Sequence, residues 1–353
     1  MVVKLFTKKV RFYFTDQQTF LQMRNLLLFL LFTSTVIFTS SKTATAQNYK
    51  NQFTLFTDND MYIDPNHDRY YSDATYFNFT RAADMNSISN PDIIKKTIEF
   101  EFGQKIYTAE SGHVYPPYHI DRPFTGYLFG NVAWNWLYKD EDAVKFTAEV
   151  GTIGPAALGE EIQSGFHQLF GLYKVVGGYG YKQYGGWSHQ LNTEPGLNLR
   201  LDYKHLLYRN DGNWFDIAAN PDAWLGSTFT GASAGLQFRV GGLNQFFQSA
   251  ITNTRVTDNK NEHMNHEFYF FTLPQVNYVV YDATIEGGLF RKDKGPVTFG
   301  IYHWVYQQQF GLQFASARWT ASAIAFIKSR EVKSTALGDQ WGSIGITYRF
   351  GKI

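Results

Sequence analysis

The chain has no cysteine among its 353 residues. A disulfide framework and a cysteine nucleophile are therefore both excluded. It also has almost no net charge, with 32 Lys+Arg against 31 Asp+Glu. A nucleic-acid binder should carry a basic excess or stripe, so that class of partner is not expected. Beyond the N-terminal region no stretch is long and apolar enough for a membrane-spanning helix, so a membrane crossing would have to be made by a barrel of strands. Three chemical signatures are missing too: a His-Glu-x-x-His zinc motif, a Gly-x-Ser-x-Gly nucleophile elbow, and a glycine-rich phosphate loop before a helix.

Aromatic residues and glycine are plentiful instead, with 23 Tyr, 32 Phe and 30 Gly. Leu-rich helical cores do not have this composition, whereas barrels with aromatic girdles do. The N-terminal region reads as an export signal. Met23-Arg24-Asn25 gives a positive start, Leu26 to Phe32 with Val36, Ile37 and Phe38 an apolar core, and Ala44-Thr45-Ala46 a cleavage site. Met23 is the expected true start. Cleavage after Ala46 would leave 353 − 46 = 307 residues, beginning at Gln47. Residues 1–46 are thus assigned to the signal region and 47–353 to one domain, because no Pro/Gly/Ser linker divides the latter.

Alternation with a period of two runs through that domain. Strands are expected at 51–58, 70–80, 96–107, 124–138, 143–151, 195–208, 213–219, 223–240, 267–283, 297–314, 316–329 and 341–350. A polar loop with Asn253, Thr254, Asp258, Asn259, Lys260, Asn261 and Glu262 interrupts them. In 302–314, Tyr302, Trp304, Tyr306, Phe310, Leu312 and Phe314 share one parity and His303, Gln307, Gln309 and Gln313 the other. In 197–205, Leu197, Leu199, Leu201 and Tyr203 alternate with Asn198, Arg200, Asp202 and Lys204. Either a soluble sandwich or a membrane barrel can alternate this way. The Tyr- and Trp-rich apolar parity and the export signal favour a barrel in the outer membrane of a Gram-negative bacterium.

One stretch breaks the pattern. Residues 154–171 open on Gly154-Pro155 and close on Gly171, as a helix does. Glu160, Gln163 and His167 then fall on one helix face. The expected fold is an all-β transmembrane antiparallel barrel of about twelve strands with this short helix packed inside.

His167 is one histidine of 9, and a lone histidine is ordinarily just a satisfied polar group. Asp58-Asn59-Asp60, followed by Asp64, Asn66 and Asp68, is rich enough in oxygen for Ca²⁺ but lacks the EF-hand glycine and glutamate; a solvated acidic turn fits the pattern equally. Ser72 shares the polar parity of Ala74, Tyr76, Asn78 and Thr80, which directs it to the lumen. No general base adjoins it in sequence.

Taken in order, Asn59-Asp60, Tyr71-Ser72, Asp121-Arg122-Pro123-Phe124-Thr125-Gly126-Tyr127-Leu128, Gly151-Thr152-Ile153-Gly154-Pro155, Gln163-Ser164-Gly165-Phe166-His167 and Gly186-Trp187-Ser188-His189-Gln190-Leu191 resemble the lipid A 3′-O-deacylase family of outer-membrane proteins. The resemblance spans the mature chain and is strongest between Asn59 and Glu194. It implies a twelve-stranded barrel with its active site between the wall and a helix, hydrolysing the 3′-linked acyloxyacyl ester of lipid A with help from Ca²⁺. His167 matches the general base, Asn59 and Asp60 the Asn-Asp pair at the metal, and Ser72 a Thr/Ser site. Such chemistry needs a base titrating near neutrality and positive charge at the developing oxyanion. Gln163 and Arg122 are candidate substrate contacts, and Lys105 with Arg122 candidate phosphate ligands. Tyr173 stands where a family pattern has a glutamate six residues after the histidine. The expected partners are lipid A or lipopolysaccharide and the surrounding outer-membrane lipids, with the protein a monomer. The alternative is a non-catalytic barrel, porin-like or structural.

Overall fold

Side chains of opposite character on opposite faces of long strands are satisfied when the sheet curls until its edges meet, one set inward and the other toward lipid. That closure is what the computed structural model contains. It describes residues 48–64, 69–85, 90–110, 120–169, 185–262 and 264–353. The described residues fall in one compact unit, Ala46–Ile353; the expected signal peptide at residues 1–46 lies outside them.

The strands are β1 (Tyr49–Asn59), β2 (Tyr70–Ala82), β3 (Ile93–Thr108), β4 (Thr125–Tyr138), β5 (Ala143–Ile153) and β6 (Glu194–Arg209), then β7 (Phe215–Gly226), β8 (Phe229–Gly242), β9 (Glu267–Asp282), β10 (Trp304–Ala315), β11 (Trp319–Lys328) and β12 (Asp339–Lys352). Each pairs antiparallel with its sequence neighbours, and β1 closes on β12 from Tyr49↔Lys352 to Asn59↔Gly342. The expected all-β barrel of twelve strands is therefore the fold.

Two boundary shifts have a clear physical reason. Asn220-Pro221-Asp222 looks like a turn in composition, yet β7 carries it through to Gly226 in register with β8. Strand β10 begins only at Trp304, because His303 is instead held at a strand end, its carbonyl accepting from Val279 N at 2.7 Å.

The outward parity is lipid-facing in character. Phe102, Val150 and Leu197 are each more than half exposed, at 55%, 62% and 60%. A water-soluble chain would bury such groups, since leaving apolar area in water costs roughly 25 cal/mol per Å². Aromatic pairs mark both rims, with Trp319 against Tyr348 at 4.7 Å and Tyr278 against Trp304 at 4.9 Å. Residues 139–142, 210–214 and 316–318 are short turns at the end that holds the chain termini, which is the periplasmic end of such barrels. The opposite, extracellular end bears longer connections, apart from the two-residue turn 227–228 between β7 and β8.

Residues 243–262 depart from that rule. They were expected as a polar loop, but they fold back into the periplasmic mouth of the barrel. Gln52 Nε2 of β1 donates to Asn253 O at 2.7 Å, and Asn253 Nδ2 donates to Asn78 Oδ1 of β2 at 3.2 Å. Lys95 of β3 pairs with Glu262 at 2.8 Å. Phe246 N donates to Glu141 at 2.9 Å, and Arg239 of β8 lies 4.6 Å from the Phe246 ring while donating to Ser249 Oγ at 2.9 Å. Anchors on strands all round the wall make the segment a plug rather than a loose connection. Above it lies a polar lumen cavity of about 830 Å³, lined by Asp58, Glu101, Lys105, Glu149 and Glu331 among others.

Candidate active site on the outer barrel wall

The chain leaves β5 at Gly154, whose φ of +77° is a glycine conformation; a Cβ there would lie 2.6 Å from Leu191 O. Pro155 opens a 3₁₀ turn, Pro155–Ala157, and Leu158 takes a left-handed conformation (φ 56°) that swings the backbone into α1, Gly159–Leu169. Glu160 and Glu161 in the first turn suit the positive end of the helix dipole. Burial and its like-charged neighbour Glu161 push the Glu160 carboxyl above its ordinary range.

The position of α1 corrects the expectation that it packs inside. On β3, Glu101, Lys105 and Tyr107 face the lumen, so Gln104 and Ile106 point outward. On β4, Phe129 and Asn131 face the lumen, so Gly126 points outward. The start of α1 meets these outward positions. Gln104 Nε2 donates to Ala157 O, and a Cβ on Gly126 would lie 3.0 Å from Ala157 Cβ and 3.1 Å from the Gly159 Cα. The helix therefore lies on the outer wall. The physical reason is the missing side chain at Gly126, which leaves room for helix backbone to touch strand.

The face of α1 predicted to be polar is the packed one. Gln163 is buried, and its Oε1 accepts from Trp187 Nε1 at 2.8 Å. Trp187 stands edge-on to Phe124 at 5.5 Å, in a core with Ile106, Ala109 and Ile120. Gln163 is thus a tie between α1 and the returning chain. His167 follows one turn later on the same face and is half-buried.

The other candidates lie nearby around the same rim but on different strands. Asn59 has the outward parity of Phe53 and Leu55, and its Oδ1 accepts from Met61 N at 2.9 Å, capping the 3₁₀ turn Asp60–Tyr62. Asp60 is buried, its Oδ2 accepting from Arg69 N at 2.6 Å. Ser72 does not face the lumen. A β-bulge between Tyr71 and Asp73 adds one residue, which turns Tyr71 inward and leaves the Ser72 hydroxyl 2.5 Å from Thr108 Oγ1. The same bulge sets Asp73 opposite Asn59 on one side and Ile106 on the other. Asp73 is the carboxylate that sequence reasoning missed, and its signal was a lone acid on the parity of Thr75, Phe77 and Phe79.

Two expected phosphate ligands sit elsewhere. Lys105 points into the lumen, its ammonium 5.3 Å from the Phe129 ring and 5.9 Å from that of Tyr76. Arg122 is fully buried; it pairs with Glu331 at 3.2 Å, donates to Thr284 Oγ1 at 3.0 Å and lies 4.2 Å over the Tyr107 ring. It clasps three extracellular segments and offers lipid headgroups no accessible face. Burial works against the charge of Glu331, but Lys328 and Arg122 outweigh it and hold the carboxyl down at about 2. Tyr173, Asn66 and Asp68 lie outside the described residues.

Among the described residues no three His, Asp or Glu side chains converge in metal-holding geometry. Asn59, Asp60 and Asp73 bring oxygen donors together where β1 meets β2, and hard oxygen donors are the type Ca²⁺ takes. They supply only part of the roughly six to eight ligands such an ion needs.

No curated protein matches the chain in sequence. Among solved structures it is similar to LpxR from Salmonella typhimurium, with a TM-score of 0.64 at 18% identity over 85% of this chain and 100% of that one. It is more distantly similar to the beta domain of the Bordetella autotransporter BrkA (TM-score 0.43, 9% identity, 86% of this chain and 100% of that one). The family model described as outer membrane protein LpxR matches residues 27–350. That span takes in every strand from β1 to all but the last two residues of β12, together with α1 and its seat on the wall, so the chain belongs to the LpxR family of outer-membrane proteins.

Proposed function

We propose that the protein is a lipid A deacylase that hydrolyses the 3′-linked acyloxyacyl ester, with His167 as general base and Ca²⁺ as cofactor. The observation that carries this reading is the seat of α1. A histidine held half-buried between a helix and the lipid-facing wall can meet an ester that never leaves the membrane. A lumen histidine could not.

In this reading His167 accepts the proton of a water as it attacks the ester carbonyl, then returns it to the leaving alkoxide. Gln163 acts as a positioning residue, because its bond to Trp187 fixes the rotation of the helix that bears His167. Ser72 and Thr108 offer a hydroxyl pair on the same outer wall that can orient a polar headgroup. Asn59 and Asp60, with Asp73 beside them, would hold the cation. When bound, Ca²⁺ supplies positive charge for an oxyanion. In this reading the barrel acts as a monomer, and pairing of β1 with β12 leaves no sheet edge for strand-to-strand association with a second copy. A porin-like role is disfavoured by the plug across the periplasmic mouth.

The test is the mass spectrum of lipid A from cells expressing wild type or His167→Ala. Loss of the 3′-acyl group only with wild type supports the reading; identical acylation in the two sinks it. Undiminished wild-type deacylation in EDTA would remove the cation from the mechanism.

A further inference from the structure

The packed face of α1 accounts for Gly159, Gln163 and His167, and leaves another face to be explained. Leu158, Ile162, Phe166 and Leu169 are 47%, 45%, 43% and 79% exposed. Ile162, Phe166 and Leu169, spaced four and three apart, fall within about 60° of arc on the helix, and Leu158 stands just ahead of it at the entry. The polar residues Glu161, Ser164 and Gln168 project from the far side. The helix therefore has three faces: one on the barrel, one apolar and partly exposed, one polar.

The wall beneath the helix indicates what covers the apolar face. Gln104 pairs across β3–β4 with Leu128, and Phe102 with Gly130, while Gly130 pairs with Val150 across β4–β5. Phe102 and Val150 are among the most exposed apolar side chains of the barrel. The rows immediately below the helix seat thus already belong to the lipid belt. A stripe of large apolar groups on a helix seated next to that belt suits hydrocarbon as its neighbour, and an amphipathic helix of this kind lies in the interfacial plane.

We propose that α1 is an interfacial helix whose Leu158, Ile162, Phe166 and Leu169 stripe is seated among the acyl chains of the outer leaflet. The partner is the lipid surface itself, at the upper edge of the hydrocarbon. Glu161 and Gln168 remain in the aqueous headgroup layer. This seating holds whether or not His167 is catalytic.

The chain has no cysteine, so single labels can be introduced cleanly. Nitroxides at Ile162→Cys and Phe166→Cys, in full-length protein reconstituted into lipopolysaccharide–phospholipid vesicles, would be compared with Val150→Cys as a lipid reference and Glu161→Cys as a water reference. The expected result is that the Ile162 and Phe166 labels collide with oxygen and are shielded from a water-soluble nickel relaxant, as Val150 is. Relaxation by nickel equal to that of Glu161 overturns the proposal. So does an immobile label shielded from both reagents, which would mean that protein covers the stripe. Dipolar broadening between Ile162 labels on separate copies also overturns it, because the occupant would then be a second barrel.

Discussion

Replacing Gly126 with valine puts a side chain into the seat of α1. The Cβ alone would stand 3.0 Å from Ala157 Cβ and 3.1 Å from the Gly159 backbone, and valine adds two methyl groups beyond it. Neither neighbour is the flexible tip of a long side chain, so the strain falls on the contact between helix and wall. Overpacking of this kind costs about 1–3 kcal/mol. Against the docked state of α1 that is about a 5- to 150-fold shift toward undocking. The ladder of β4 with β3 and β5 does not depend on Gly126 lacking a side chain, so the barrel should still fold and show heat-modifiable migration on a gel. Deacylation of lipid A should fall by up to the same 5- to 150-fold, in step with the docked fraction of α1. Gly126→Ala should fall less, and Gly159→Val, whose Cβ would lie 2.6 Å from the Trp187 ring, should fall at least as far. A Gly126→Val barrel that folds and deacylates at the wild-type rate refutes the outer-wall site.

Other outcomes can be checked singly. Glu331 has a depressed folded pKa, so the stability it gives the Arg122 clasp is present above its ordinary value of 4.5 and is lost as pH falls toward about 2. Relative to an unfolded reference peptide cut at the same pH, pepsin should therefore cut within residues 329–338 faster at pH 2 than at pH 4.5, and Glu331→Gln should flatten that difference; equal relative cutting of the wild type at both pH values would contradict the clasp. In a planar bilayer the wild type should give no stable conductance steps, whereas replacing residues 245–258 with a short Gly-Ser linker should produce them. Wild-type channels would mean that the plug does not block the lumen. Ser72→Ala loses the bond to Thr108 and should cost about 1 kcal/mol, leaving the barrel intact on a heat-modifiability gel; an unfolded barrel would show that the bulge depends on that hydroxyl.

The strands were legible because alternation is a local property: Leu197, Leu199 and Leu201 declare a face without reference to the rest of the chain. What alternation cannot register is an added residue. The bulge at Ser72 moved Tyr71 inward and Ser72 outward, and a strict count by twos assigned Ser72 to the wrong side. The placement of α1 was hidden for a different reason. The polar stripe through Gln163 and His167 identifies a packed face but not what it packs against. Only Gly126, which with Gly130 leaves a gap in the outward row of a strand that otherwise shows Leu128, Val132 and Trp134, hinted at the outer wall. Arg122 and Lys105 were misassigned because a basic residue near a motif looks the same whether it faces lipid, lumen or a buried glutamate. The plug was read as solvated loop because its polar groups could equally bond to water or to Gln52, Lys95 and Arg239.

A helix fastened to the outside of the barrel also determines how anything reaches it. A lumen site would be supplied through a mouth, in three dimensions, from dissolved molecules. With α1 seated at the lipid surface as proposed, a reacting lipid would arrive sideways from the leaflet, so arrivals and departures would be two-dimensional. The quantity that governs encounter is then the mole fraction of the reacting lipid in the leaflet, and its bulk concentration is irrelevant. Diluting that lipid with inert phospholipid at constant total amount should slow turnover in proportion, while adding more vesicles of the same composition should leave the rate per barrel unchanged.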